Sequence, residues 1–152
     1  MALNQDFVGK VYPASAPYEV GREKVREFAV AIGDTNPAYH DVEAARALGH
    51  RDLVAPPTFP FIVTMRATAV VMFDPDLGLD YSRVVHGEQR FAYSRPVMAG
   101  DHLVVVTTIE NIRVAAGNDI LTSRSEVSTV EGEHVVTTWA VTVARGTAEE
   151  SA

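Results

Sequence analysis

Residues 56–73, PPTFPFIVTMRATAVVMF, are apolar on nearly every side of a helical projection, and Arg66 is the only charge among them. Such a segment reads as a helix buried by whatever wraps around it. Pro56, Pro57 and Pro60 stand at its start, where the first-turn N–H groups have no partner and proline is tolerated. Asp74-Pro75 stops it, because the residue before a proline avoids the helical region. The run is too short, and too interrupted by Pro60 and Arg66, to span a membrane.

Before this helix the period changes twice. Residues 7–20 contain Pro13 and Pro17 in a weakly alternating run, which predicts an arm followed by a short edge strand at about 18–20. Val25, Phe28, Ala29 and Ile32 then recur at helical spacing until Gly33 ends the amphipathic helix. Residues 33–40, GDTNPAYH, are turn formers that present polar side chains on a loop, and Asp41 caps a short helix over 42–48 closed by Gly49. After an irregular or helical crossing at 74–81 the pattern is β to the end, with strands over 82–94, 102–115 and 120–130. In a fourth strand Val135, Thr137, Trp139, Val141 and Val143 share one face.

One apolar helix followed by an antiparallel meander predicts an α+β fold in which a curled sheet takes residues 57–73 into its concave face. Residues 1–152 read as a single domain, with a frayed tail from about residue 146. The sheet leaves an edge strand for the arm or a second subunit to cover, so a dimer is expected. Arg66 calls for a carboxylate partner, near the helix or across the subunit boundary, and Trp139 is read as core.

Composition narrows the function classes. The net charge of −7 over 152 residues argues against a nucleic-acid partner, whose phosphates demand cations. The absence of cysteine removes disulfides, thiolate nucleophiles and Cys-ligated metals. With no signal segment in the first ten residues, a cytoplasmic protein is expected, with no membrane association. The chemistry-bearing residues concentrate in the loop. Asp34 suits either an Asx-type turn or a water-orienting role, Asn36 suits loop support, and Tyr39 suits packing or channel lining. His86, beside Gly87 on the first long strand, is more simply a satisfied strand histidine, the alternative being a residue that approaches the pocket.

Three segments, GDTNPAYHD at 33–41, LVAPPTF at 53–59 and RFAYSRPVMAGDHL at 90–103, resemble the MaoC-like (R)-hydratase and dehydratase family. That resemblance implies a hotdog fold and dehydration of a (3R)-3-hydroxyacyl thioester, or the reverse hydration, with the acyl group on coenzyme A or acyl carrier protein. It implies neither metal nor redox cofactor. It assigns Asp34 and His40 as catalytic candidates, and Asn36, Tyr39, Pro57, Thr58 and His86 as substrate-binding candidates. In the family a backbone N–H at the start of the central helix meets the thioester oxygen, where the helix dipole favours negative charge.

Two positions depart from the family pattern. Aligned without a gap, Tyr39 takes the histidine slot and His40 falls one residue later, so either of the two is a candidate for the inward position. At the helix entry, Ala55-Pro56 or Pro56-Pro57 replaces the family's His-Gly, and proline has no N–H to offer; Thr58 can donate one step along. Both departures resemble the accessory, substrate-recognising subunit of heterodimeric (3R)-hydroxyacyl-ACP dehydratases. A self-sufficient homodimeric hydratase using Asp34 and His40, and a non-catalytic acyl-thioester binding module, are the alternatives.

Overall fold

In the computed structural model, which describes residues 2–148, the strand-period stretches become one five-stranded antiparallel sheet. Its strands are β1 (Tyr18–Glu19), β2 (Val84–Tyr93), β3 (His102–Ala115), β4 (Asn118–Thr129) and β5 (His134–Ala144), in the order β1-β3-β4-β5-β2. Three helices accompany it: α1 (Arg22–Ala31), α2 (Val42–Ala47) and α3 (Pro60–Met72). The result is the expected α+β hotdog layout, α3 lying in the concave face of the sheet.

The curl has a local cause. Pairing slips by one residue between His86 and Glu88, between Ile109 and Asn111, and between Val127 and Ser128. Each such irregularity bends and twists its strand. The slips also switch which side chains face inward. On β3 the buried set runs Leu103, Val105, Thr107 and Ile109, then jumps to Ile112.

Two apolar clusters hold the ends of α3. Around its N-terminal half pack Phe59, Val63, Leu53, Val25, Leu103 and Val127. Around its C-terminal end pack Val71, Leu77, Phe7, Ile109, Ile112 and Leu121. Phe59 anchors the first cluster by edge-on contacts with Phe28 at 5.5 Å and Tyr18 at 6.5 Å between ring centres.

Several expectations are corrected. Regular helix begins at Pro60, because Pro57 to Phe59 form a turn in which the Phe59 amide bonds the Pro56 carbonyl at 2.9 Å. The helix is wrapped on one side only: five strands curl over Val63, Thr64 and Val71 but leave Met65, Val70 and Phe73 more than half exposed. Arg66 has no carboxylate partner among the described residues and lies over the Tyr18 ring at 5.6 Å. Trp139 is half-buried on the convex face under Arg90, while its neighbours Thr138 and Ala140 face α3. The tail is held further than expected, with the buried Thr147 hydroxyl donating to Asp119 at 2.8 Å; residues 149–152 lie outside the described residues.

The two sheet edges are treated differently. The arm runs beside β3, with the amides of Gly9, Tyr12 and Ser15 donating to the carbonyls of Ile109, Thr107 and Val105 at 2.8 to 2.9 Å. On the opposite side β2 is the terminal strand, pairing only with β5 among the described residues. No described helix is long and apolar enough to cross a membrane.

Candidate active site

The loop between α1 and α2 is stiffened by its own side chains. Gly33 adopts a left-handed φ of 71°, which ends α1 and sends the chain sideways. One Asp34 carboxylate oxygen then accepts the Asn36 amide at 3.0 Å, and the Asn36 side-chain oxygen accepts the Ala38 amide at 3.1 Å. Asp41 caps α2 by accepting the Glu43 amide at 3.0 Å. These are Asx-type bonds, so Asp34 and Asn36 both support the loop backbone.

His40 and Tyr39 go different ways. The His40 Nε2 lies 2.9 Å from the Asp34 backbone carbonyl, to which it donates, and the His40 carbonyl in turn accepts from the Arg26 side chain at 2.9 Å. Its imidazole is thereby turned back onto its own loop. Tyr39 instead lines a cavity of about 400 Å³ with Ala55, Pro57, Tyr93, Arg95 and Pro96. Burial, then the Asp34 carboxylate, push the Tyr39 phenol above its ordinary value. It therefore stays protonated across the neutral range and keeps a hydrogen to donate.

Pro57, at the entry of α3, lines this cavity. Tyr93 donates to the Pro57 carbonyl at 2.5 Å, and its own phenol is pushed up by burial and then by Tyr39. Arg95 is fixed by Asp101 at 2.9 Å and Glu133 at 2.9 Å; its charge is spent on the turn that leaves β2. Pro57 has no N–H. Phe59, Phe61 and Ile62 donate theirs to nearby carbonyls, which leaves the exposed Thr58 amide without a hydrogen-bond partner among the described residues.

A second cavity, of about 500 Å³, runs along the body of α3 between Phe61 and Phe73 on one side and β2, β4 and β5 on the other. His86 is here, its ring edge-on to Phe61 at 5.5 Å. Asp34, Asn36, Tyr39 and His40 thus share one loop, Tyr39 and Pro57 share the entry cavity, and His86 belongs to the long cavity. Tyr93 was missed by sequence reasoning; its parity with Phe91 on a bulged strand is the signal that could have found it. Among the described residues no group of three His, Asp or Glu side chains converges to hold a metal ion.

Similarity to known proteins follows these features. A family model described as FAS1-like, dehydratase domain region, matches residues 6–138. A UPF0336 protein of Streptomyces coelicolor is 63% identical over 149 residues, covering 98% of this chain and 99% of the relative. Among solved structures, a chain of the C-terminally truncated HadBC (3R-hydroxyacyl-ACP dehydratase) complex of Mycobacterium tuberculosis is 34% identical, with a TM-score of 0.82 over 91% of this chain and 97% of that one. A MaoC-like dehydratase is also 34% identical, with a TM-score of 0.86 over 93% of this chain and 43% of that one.

Proposed function

Because the chain belongs to the FAS1-like dehydratase-region family, within the MaoC-like hotdog (R)-hydratases, we propose that it is one subunit of a (3R)-3-hydroxyacyl-thioester dehydratase. It shapes the acyl channel, and a partner hotdog subunit supplies the working Asp and His. The acyl group is carried on coenzyme A or acyl carrier protein.

The observation that supports this division of labour is the pairing of Tyr39 with Pro57 at the entry cavity. A base there must take a carbon-bound proton at neutral pH, which a phenol held above its ordinary value does not do. The His40 ring, donating from Nε2 to the Asp34 carbonyl, is not among the residues that line the entry cavity. What remains suits recognition: a neutral phenol donor, a Thr58 amide unpaired among the described residues and a channel along α3. The unpaired edge of β2 and the half-covered α3 are surfaces that a second hotdog subunit would bury. HadBC, a complex by its name, is consistent with such an assembly.

The test is to co-express the chain with candidate hotdog partners and follow hydration of crotonyl-CoA and longer enoyl thioesters. Turnover by the pair and by neither chain alone is the expected result. Turnover by this chain alone, abolished in His40→Ala, overturns it in favour of a homodimeric hydratase.

A further inference from the structure

The inner face of the sheet changes character halfway along α3. At both ends it is apolar, as the two core clusters require. Between them it presents Ser123 and Ser125 from β4 and Thr138 and Thr142 from β5 to the long cavity. The facing wall from α3 presents Phe61, Met65, Met72 and Phe73, and its two threonines, Thr64 and Thr68, turn their hydroxyls back onto carbonyls of the helix itself. A cavity meant only for hydrocarbon has no use for a row of hydroxyls on one wall.

Gln89 sharpens this contrast. Normal strand alternation would put Gln89 on the face opposite His86, three residues away. The register slip beside Gly87 reverses the parity, and both side chains line the long cavity. The Gln89 amide nitrogen and oxygen are each buried, and neither has a hydrogen-bond partner among the described residues. A buried amide with donor and acceptor both unmet is disfavoured, and natural proteins keep such groups chiefly where a ligand or water completes them.

We propose that the long cavity takes an acyl chain carrying an oxygen function, a hydroxyl or keto group, part-way along its length, and that Gln89 is the residue that reads it. This rests on the assignment of the chain as an acyl-channel subunit. A hydroxyl accepts from the Gln89 amide nitrogen or donates to its oxygen, and a keto group accepts from the nitrogen. The α3 wall meanwhile packs against the methylenes on either side. A saturated chain fills the same volume but leaves both Gln89 atoms unpaired. Discrimination of this kind is large because the penalty falls on the site's own polar group. Three other occupants share the hydrogen-bonding chemistry: trapped water, the amides of a pantetheine arm, and a polar group of the partner subunit, which would meet this face of α3 and β2 and, like water, would leave all thioesters equally bound in the pair.

The experiment uses calorimetric binding of dodecanoyl-CoA, of isomers with the hydroxyl moved carbon by carbon beyond the third position, and of coenzyme A alone. It is run on the full chain, alone and with its partner, as native protein and as Gln89→Met. One hydroxylated isomer is expected to bind about tenfold more tightly than dodecanoyl-CoA to the native protein, the preference shrinking to within about twofold in Gln89→Met. Ligand-free Gln89→Met is expected to melt higher than the native protein, since the unpaired amide is gone. Equal binding of all thioesters, as water in the cavity would give, overturns the proposal. A preference that survives in Gln89→Met also overturns it, and so does a loss of affinity for coenzyme A alone in that variant, which would assign Gln89 to the pantetheine arm. If no thioester binds in any pairing, the acyl-channel assignment itself falls.

Discussion

Tyr93, the last residue of β2, donates its phenolic hydrogen to the backbone carbonyl of Pro57 at 2.5 Å, joining the end of the edge strand to the entry of α3. The bond sits where proline has removed an amide and the chain turns before the helix starts. In Tyr93→Phe the carbonyl loses this partner while the ring contact with Phe91 is kept. A loss of about 1 kcal/mol is expected. Thermal melts should show a fall of about 2–4 °C for a chain of this size.

Gly87 is a second point where a single atom matters. A Cβ there would lie 3.3 Å from the Val141 carbonyl oxygen and 3.3 Å from a Val143 methyl. The first of these contacts is to backbone, which cannot swing away. Gly87→Ala is expected to destabilise by about 1 kcal/mol and Gly87→Val by about 3 kcal/mol, the range for overpacking. Denaturant unfolding measures both. A neutral Gly87→Val would mean that the slip between His86 and Glu88 does not depend on the close approach of β5.

Much of this architecture was legible because its signals are local. The alternation of residues 102–115 bounds β3 at the same residues, and Asp41 announces the cap of α2. Apolar character does not say which face of a sheet is concave, so Trp139 reads as core in the sequence and lies on the convex face, covered by Arg90. The sequence leaves the inward position of the loop between Tyr39 and His40, and the structure separates them by a bond that composition cannot show, from His40 to the Asp34 carbonyl. The pairing of His86 with Gln89 was invisible for a similar reason. A register slip leaves no mark in a pattern of period two beyond a glycine.

Acid should unfold the protein partly through the arm. The Lys10 ammonium holds the Asp74 carboxyl below the usual carboxylate range, at 2.8 Å, and Tyr12 adds a hydrogen bond at 3.0 Å. A folded-state pKa below the unfolded one contributes stability that is present above the unfolded value, about 3.9, and is lost as pH falls through the folded value. The Arg95 guanidinium depresses Glu133 in the same sense. The melting temperature is therefore expected to hold between about pH 7 and 5 and to drop below about pH 4. In Lys10→Met the low-pH drop should be shallower, because the pair that protonation breaks is already missing. An equal drop in that variant would remove the Lys10 and Asp74 pair from the acid response.

The opposite orientations of Tyr39 and His40 give the most direct functional prediction. The Tyr39 phenol is raised above its ordinary value by burial and then by Asp34, so it keeps its proton through the neutral range. Tyr39→Phe in the assembled pair should leave the shape of the pH–rate profile unchanged below about pH 9, since no limb of it belongs to Tyr39. It should raise KM by about fivefold with kcat little changed, the pattern of a lost binding contact. His40→Ala removes a bond to the Asp34 carbonyl and should lower stability by about 1 kcal/mol while leaving kcat of the pair within about threefold. A collapse of kcat in His40→Ala with an unchanged melting temperature would return that imidazole to the reacting atoms, and Tyr39 would then be only the lining of the cavity.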